Sequence, residues 1–151
     1  MARNYACVNN ATNTQSTSVP IMTITGAATV RLKLYEIEQG SDATAADNAA
    51  TFLIQRHSTA PSGGTSGTPA PLDAADPASL GSYMFGASIG APTLGTKLFQ
   101  WSQNQRVTFR WQALPGKELV VPATANNGLS MLPSVVGGSA VNFAGCWFFE
   151  E

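Results

Sequence analysis

Apolar residues that recur at every second position constrain this chain more than any other feature. In Val30-Arg31-Leu32-Lys33-Leu34 the three apolar side chains share one face of an extended strand and the two cations take the other. The phase then slips by one, because Tyr35 and Ile37 are apolar while Glu36 and Glu38 are polar; a β-bulge, or the point where the strand leaves one sheet, is expected there. Residues 51–57 read as a second strand, with Phe52 and Ile54 facing one way, Leu53 the other, and both faces at least partly covered. Lys97-Leu98-Phe99-Gln100-Trp101 and Arg106-Val107-Thr108-Phe109-Arg110-Trp111 flank the polar stretch 102–105 and predict a β-hairpin, with Val107, Phe109 and Trp111 as its core face. Leu119-Val120-Val121 is a short strand stopped by Pro122, which suits an edge. Residues 141–149 close the pattern with Val141, Phe143, Trp147 and Phe149 in one phase. Gly145 interrupts that face, as if to let a neighbouring aromatic ring lie over it.

Helix is scarce. Residues 44–50, entered by Ser41-Asp42, resemble a capped helix of two turns at most, and residues 73–80, with Pro77, a single turn. Residues 58–71 are Ser-, Thr-, Gly- and Pro-rich and read as a long exposed connection. Residues 81–95 are Gly-rich but carry Tyr83, Phe85, Ile89 and Leu94, so an irregular strand or a docked loop is expected. No fixed-period repeat is visible. Short strands punctuated by Gly, Pro and Asn predict an all-β fold, a β-sandwich or jelly roll with long loops. The polar, uncharged stretch 9–18 divides the 151 residues into an extended N-terminal arm, 1–18, and one sandwich domain, 19–151. That arm is expected to order when laid on a neighbour.

Charge and chemistry narrow the function. Asp, Glu, Lys and Arg make up 11% of the chain, less than half of the roughly 25% of a typical domain. The surface is therefore built largely of Ala, Ser, Thr, Asn, Gln and Gly, which loses little on burial because no ion has to leave water. The net charge is −1 with no basic cluster, so no nucleic-acid partner is expected. The start, Met1 to Cys7, lacks the apolar stretch of a signal peptide, and the apolar runs are too short to span a bilayer, so no membrane partner is expected either. Cys7 and Cys146 read as reduced, buried thiols.

His57 is the only histidine, which leaves no two-histidine metal site and forces any triad through this residue; a solvent-facing position at a strand end is expected for it. The chain has no Gly-x-Ser-x-Gly elbow and no phosphate-cradling loop, and Gly63-Gly64 and Gly137-Gly138 read as turns. Asp42, Asp47, Asp73 and Asp76 fall at capping positions, and Glu36 and Glu38 on the wet face of a strand. Asp73 and Asp76 match no EF-hand spacing for calcium. Trp101, Trp111 and Trp147 are the material for a sugar-binding platform, but each shares a strand phase with apolar neighbours, so at least two belong in the core. No catalytic residue, cofactor or metal ligand is assigned, and a non-enzymatic role is expected.

The stretches Asn104-Gln105-Arg106-Val107-Thr108-Phe109-Arg110-Trp111 and 115–129 resemble a family of small tailed-phage virion proteins. So do the Asn4-Tyr5-Ala6 start, Ala45-Ala46-Asp47-Asn48-Ala49, Leu72-Asp73-Ala74-Ala75-Asp76-Pro77 and the aromatic, acidic end Phe148-Phe149-Glu150-Glu151. The resemblance spans most of the chain and supplies no catalytic residues. It implies a capsid decoration or cement protein on the virion surface, assembled in the host cytoplasm, a homotrimer at local three-fold positions bound to its own copies and to the major capsid protein. A tail or head–tail connector component and a carbohydrate-binding sandwich are the alternatives.

Overall fold

A computed structural model of the chain describes residues 2–13, 19–41, 45–87, 89–136 and 141–151. Among them the regular structure is entirely β, in twelve strands. In chain order these are β1 (Asn4–Asn13), β2 (Met22–Thr25), β3 (Leu32–Ser41), β4 (Ala49–His57), β5 (Thr65–Gly67), β6 (Ala70–Pro71), β7 (Ser82–Phe85), β8 (Leu94–Asn104), β9 (Phe109–Gln112), β10 (Leu119–Val121), β11 (Gly128–Val136) and β12 (Val141–Glu150).

They form two antiparallel sheets. The first runs β10-β3-β12-β1-β6, with β9 continuing the β10 edge along β3; the second runs β5-β7-β2-β11-β4-β8. The pairing β1 with β12, β2 with β11, β3 with β9 and β10, and β4 with β8 is that of one long hairpin. The further pairs β3–β12 and β4–β11 roll that hairpin up on itself. This is the jelly-roll form of the β-sandwich.

The core is the inner faces of both sheets. Tyr5 and Cys7 from β1, Leu32, Leu34 and Ile37 from β3, and Val141, Phe143, Trp147 and Phe149 from β12 meet Met22, Ile24, Phe52, Ile54, Trp101, Leu129 and Met131. The phase slip read at Tyr35 is a real bulge: β12 pairs Phe148 with Glu36 and Phe149 with Leu34, skipping Tyr35. Leu53 is buried on the opposite face from Phe52 and Ile54, so both faces of β4 are covered. β10 ends at Pro122 on the sheet edge, and β9 reaches it through Leu114-Pro115-Gly116-Lys117. In that turn the Lys117 amide donates to the Leu114 carbonyl at 2.8 Å and Gly116 has φ 80°. Proline followed by a positive-φ glycine is the type II turn pattern. Pro133 sits in a central strand, beside a register shift, where a missing donor is tolerated.

Several expectations are corrected. The predicted hairpin does not form: β8 pairs with β4 in one sheet and β9 with β3 in the other. The connection is instead a corner. The Val107 amide bonds the Asn104 carbonyl (3.1 Å), while Gln105 is buried and tied to the β3–β4 connection through Asn48 O (2.9 Å) and the Ala46 amide (3.1 Å). The two apolar faces therefore meet across the sandwich, with Trp101 stacked on Phe109 at 4.5 Å and 10° and Phe99 against Trp111 at 5.3 Å. Phe109 and Trp111 are only half-buried and Val107 is 53% exposed, so that face is not the continuous core stripe predicted.

The predicted helix at 44–50 lies partly outside the described residues. From Ala45 onward it is irregular, and Ala49 and Ala50 begin β4 in register with Asn104 and Gln103. Residues 73–76 form an Asp73-capped turn, not a helical turn. Of the predicted arm, residues 4–13 are a full strand laid along β12 with Tyr5 and Cys7 in the core; residues 14–18 lie outside the described residues, as do Gly137 and Gly138. The 58–71 connection contributes the short strands β5 and β6, and the 81–95 segment the regular strand β7. Gly145 makes room for backbone, not for a ring: a Cβ there would sit 2.2 Å from the Glu38 carbonyl oxygen of β3.

Candidate interaction surface

Alternation decides what the first sheet shows to the outside. With Tyr5, Cys7 and Asn9 directed inward, Ala6 and Val8 of β1 point out. With Trp147 and Phe149 inward, Cys146 and Phe148 of β12 do the same. Cross-strand partners make these continuous, since Val8 lies opposite Cys146 and Ala6 lies between Phe148 and Ala70. The bulge turns Tyr35 onto the same face, where its ring stacks on Phe148 at 6.5 Å. Val8 is 61% exposed, Leu72, just past β6, 55%, and Leu80, beside the end of β12, 62%. An apolar stripe therefore crosses four strands on the outside of the sheet. Contiguous exposed apolar patches of this kind are uncommon on the surfaces of monomeric proteins.

Charge frames the stripe. At the β9 edge the Arg110 guanidinium holds Glu36 at 2.5 Å and Glu38 at 3.3 Å, and at the end of β12 Lys33 holds Glu150 at 2.7 Å. Glu36 is buried by this clamp, contrary to the expectation of a wet strand face. Beside the stripe lies a hollow of about 410 Å³ lined by Ala2, Asn4, Tyr35, Leu72, Asp73 and Asp76. Asp73 Oδ1 accepts the Ala75 amide at 2.9 Å, and Asp76 Oδ1 lies 3.7 Å from Arg3. Among the described residues no three metal-ligating side chains converge.

At the opposite edge the mouth between the sheets opens beside β10. Arg31, Arg56, Val120 and Pro122 line a hollow of about 440 Å³ there. It shares Arg56 and Pro122 with a cleft of about 250 Å³ lined also by His57, Ser58, Thr96, Asn127 and Gly128. Among the described residues no carboxylate lines either one. Arg56 Nη1 donates to the Val120 carbonyl at 2.8 Å.

His57 is not the solvent-facing strand-end residue expected from sequence. It is 3% exposed, with Nδ1 2.9 Å from the Ser130 hydroxyl and Nε2 3.3 Å from that of Thr25. A neutral ring donates at one nitrogen and accepts at the other, and each hydroxyl rotates to match, so both contacts are hydrogen bonds with the ring uncharged. Burial pulls its pKa down to about 4. The ring packs over Gly128, where a Cβ would come within 2.4 Å of Nε2. Ser130 and His57 have the separation of a nucleophile and its base, but Ser130 is wholly buried and among the described residues no carboxylate bonds the ring. The arrangement ties β2, β4 and β11 together at one end of the second sheet.

Trp101 and Trp147 are buried and Trp111 is half-buried against Phe99, so the three tryptophans do not share an exposed platform. Cys7 points into the core and Cys146 out of it from neighbouring strands; both are free thiols, and opposite faces of one sheet keep them from bonding. Burial raises the Cys146 pKa to about 11 and that of Cys7 further. The apolar outer face was missed in sequence because its residues come from four strands with gaps of tens to over a hundred positions between them. The available signal was the pair Cys146 and Phe148, apolar in the outward phase of β12. No protein-family model, no curated protein and no solved structure matches this chain.

Proposed function

We propose that this chain is a structural module that works by packing against its own copies and a larger assembly, and that the assembly is a tailed-phage capsid, which it decorates or cements. The observation that carries the structural part is the apolar stripe of Ala6, Val8, Tyr35, Cys146 and Phe148 on the outside of the first sheet, continued by Leu72. A sandwich has no folding reason to keep such a face in water, whereas a module buried in a repetitive contact uses it. The capsid part rests on the sequence resemblance described above. The jelly roll is compatible with it but serves many unrelated roles.

The test is co-sedimentation with empty phage shells. Wild-type protein should pellet with the shells, and Val8→Glu should lose most of that binding. Its melting temperature should stay within a few degrees of wild type, because position 8 is exposed. Binding to tail structures in place of shells would move the module to the tail. Undiminished binding by Val8→Glu would remove the outer face from the contact.

A further inference from the structure

We infer that copies of this chain contact one another head to tail, the Arg31–Arg56 corner of one seated in the Asp73–Asp76 hollow of the next; this rests on the reading of the chain as a self-packing module. The two patches are chemically matched. Neither Arg31 nor Arg56 pairs with a carboxylate among the described residues, and the Val120 carbonyl occupies one of the five donors of Arg56. In the hollow, Asp73 and Asp76 each commit Oδ1, to the Ala75 amide and to Arg3, and among the described residues neither Oδ2 has a donor. A planar guanidinium against a carboxylate with a free oxygen is the pairing that gains most from geometry. The apolar parts match as well: Val120 and Pro122 flank the arginines, and Leu72 and Tyr35 flank the aspartates.

Placement makes the contact directional. The basic corner lies at the β10 edge of the first sheet, and the hollow lies on the outer face toward β6, the opposite edge. Different surfaces meet, so every copy both gives and receives, and the assembly closes into a ring when the rotation between copies allows it. A ring of three is the closure that agrees with the proposed function. Such a contact draws on charge for its orientation and weakens as salt screens it.

Charge reversal read by sedimentation mass tests this. Arg31→Glu with Arg56→Glu should weaken association about ten-fold or more, as should Asp73→Lys with Asp76→Lys, and all four reversals in one chain should restore it. If a reversed variant melts abnormally, the neutral pair Arg56→Gln and Asp76→Asn should each shift association in the same direction by a smaller factor. An unchanged mass in either reversed pair, or no recovery in a normally melting four-fold variant, overturns this interface and leaves the structural reading standing. A wild-type mass of one chain overturns the self-packing reading itself.

Discussion

Acid should unpick this sandwich through His57 before it protonates most carboxylates. In the unfolded chain the imidazole titrates near 6.5, whereas in the folded chain burial lowers its pKa to about 4. The folded state therefore binds fewer protons between these values, and stability falls as pH falls. The contribution is whole above about pH 6.5, declines down to about pH 4, and is flat below that. A gap of about 2.5 pKa units corresponds to about 3 kcal/mol, most of it lost by about pH 4.5. The physical cost is concrete: protonation places a cation in a buried site where its only side-chain partners among the described residues are two neutral hydroxyls, Ser130 and Thr25. Urea melts of wild type and His57→Gln at about pH 7.5 and about pH 4.5 separate this from carboxylate titration. Wild type should lose about 2–3 kcal/mol more than the variant over that interval. Parallel pH dependence in the two proteins would refute the burial argument for His57. Neither protein should differ in shell binding at neutral pH, since the ring lies away from the apolar outer face.

Two further substitutions probe the core. Trp147→Ala, at a fully buried position, should cost about 3–5 kcal/mol in a denaturant melt, while Trp111→Ala, half-buried at the open seam beside Phe99, should cost about 1–2 kcal/mol; equal losses would contradict the assigned depths. Gln39 is buried with neither amide atom hydrogen-bonded among the described residues, and Asn9 Oδ1, in register across Gly145, is in the same condition. Gln39→Met keeps the shape and removes two unpaired polar atoms, so it should raise the melting temperature by several degrees, and a fall would show that the amide is satisfied in solution.

Much of this architecture is legible in the sequence, because face is a local property. The alternation of Leu32 and Leu34, the slip at Tyr35, the arrest of β10 at Pro122 and the inward phase of Phe143, Trp147 and Phe149 all hold in the fold. Partner choice is not local, and there the reading fails. The β8 and β9 runs carry the right faces for a hairpin, yet the same alternation serves two strands that meet across a sandwich. In the fold the corner between them is fixed by Gln105, buried and bonded to the β3–β4 connection, a contact no local pattern announces. Alanine propensity at residues 45–50 is overridden by the register of β4 on β8. The strand character of residues 4–13 is masked because inward Asn9 breaks the apolar phase set by Tyr5 and Cys7. His57 looks like a surface residue because the groups that bury it, Thr25, Gly128 and Ser130, come from distant parts of the chain.

The central claim is that this domain exists to be packed against its own kind, and its native mass tests that most directly. Sedimentation equilibrium of wild-type protein at micromolar concentration and physiological salt should give a multiple of the 15.7 kDa chain, and three times that mass for the ring proposed. A mass of one chain, constant across the concentration range while the protein remains folded, would contradict the account.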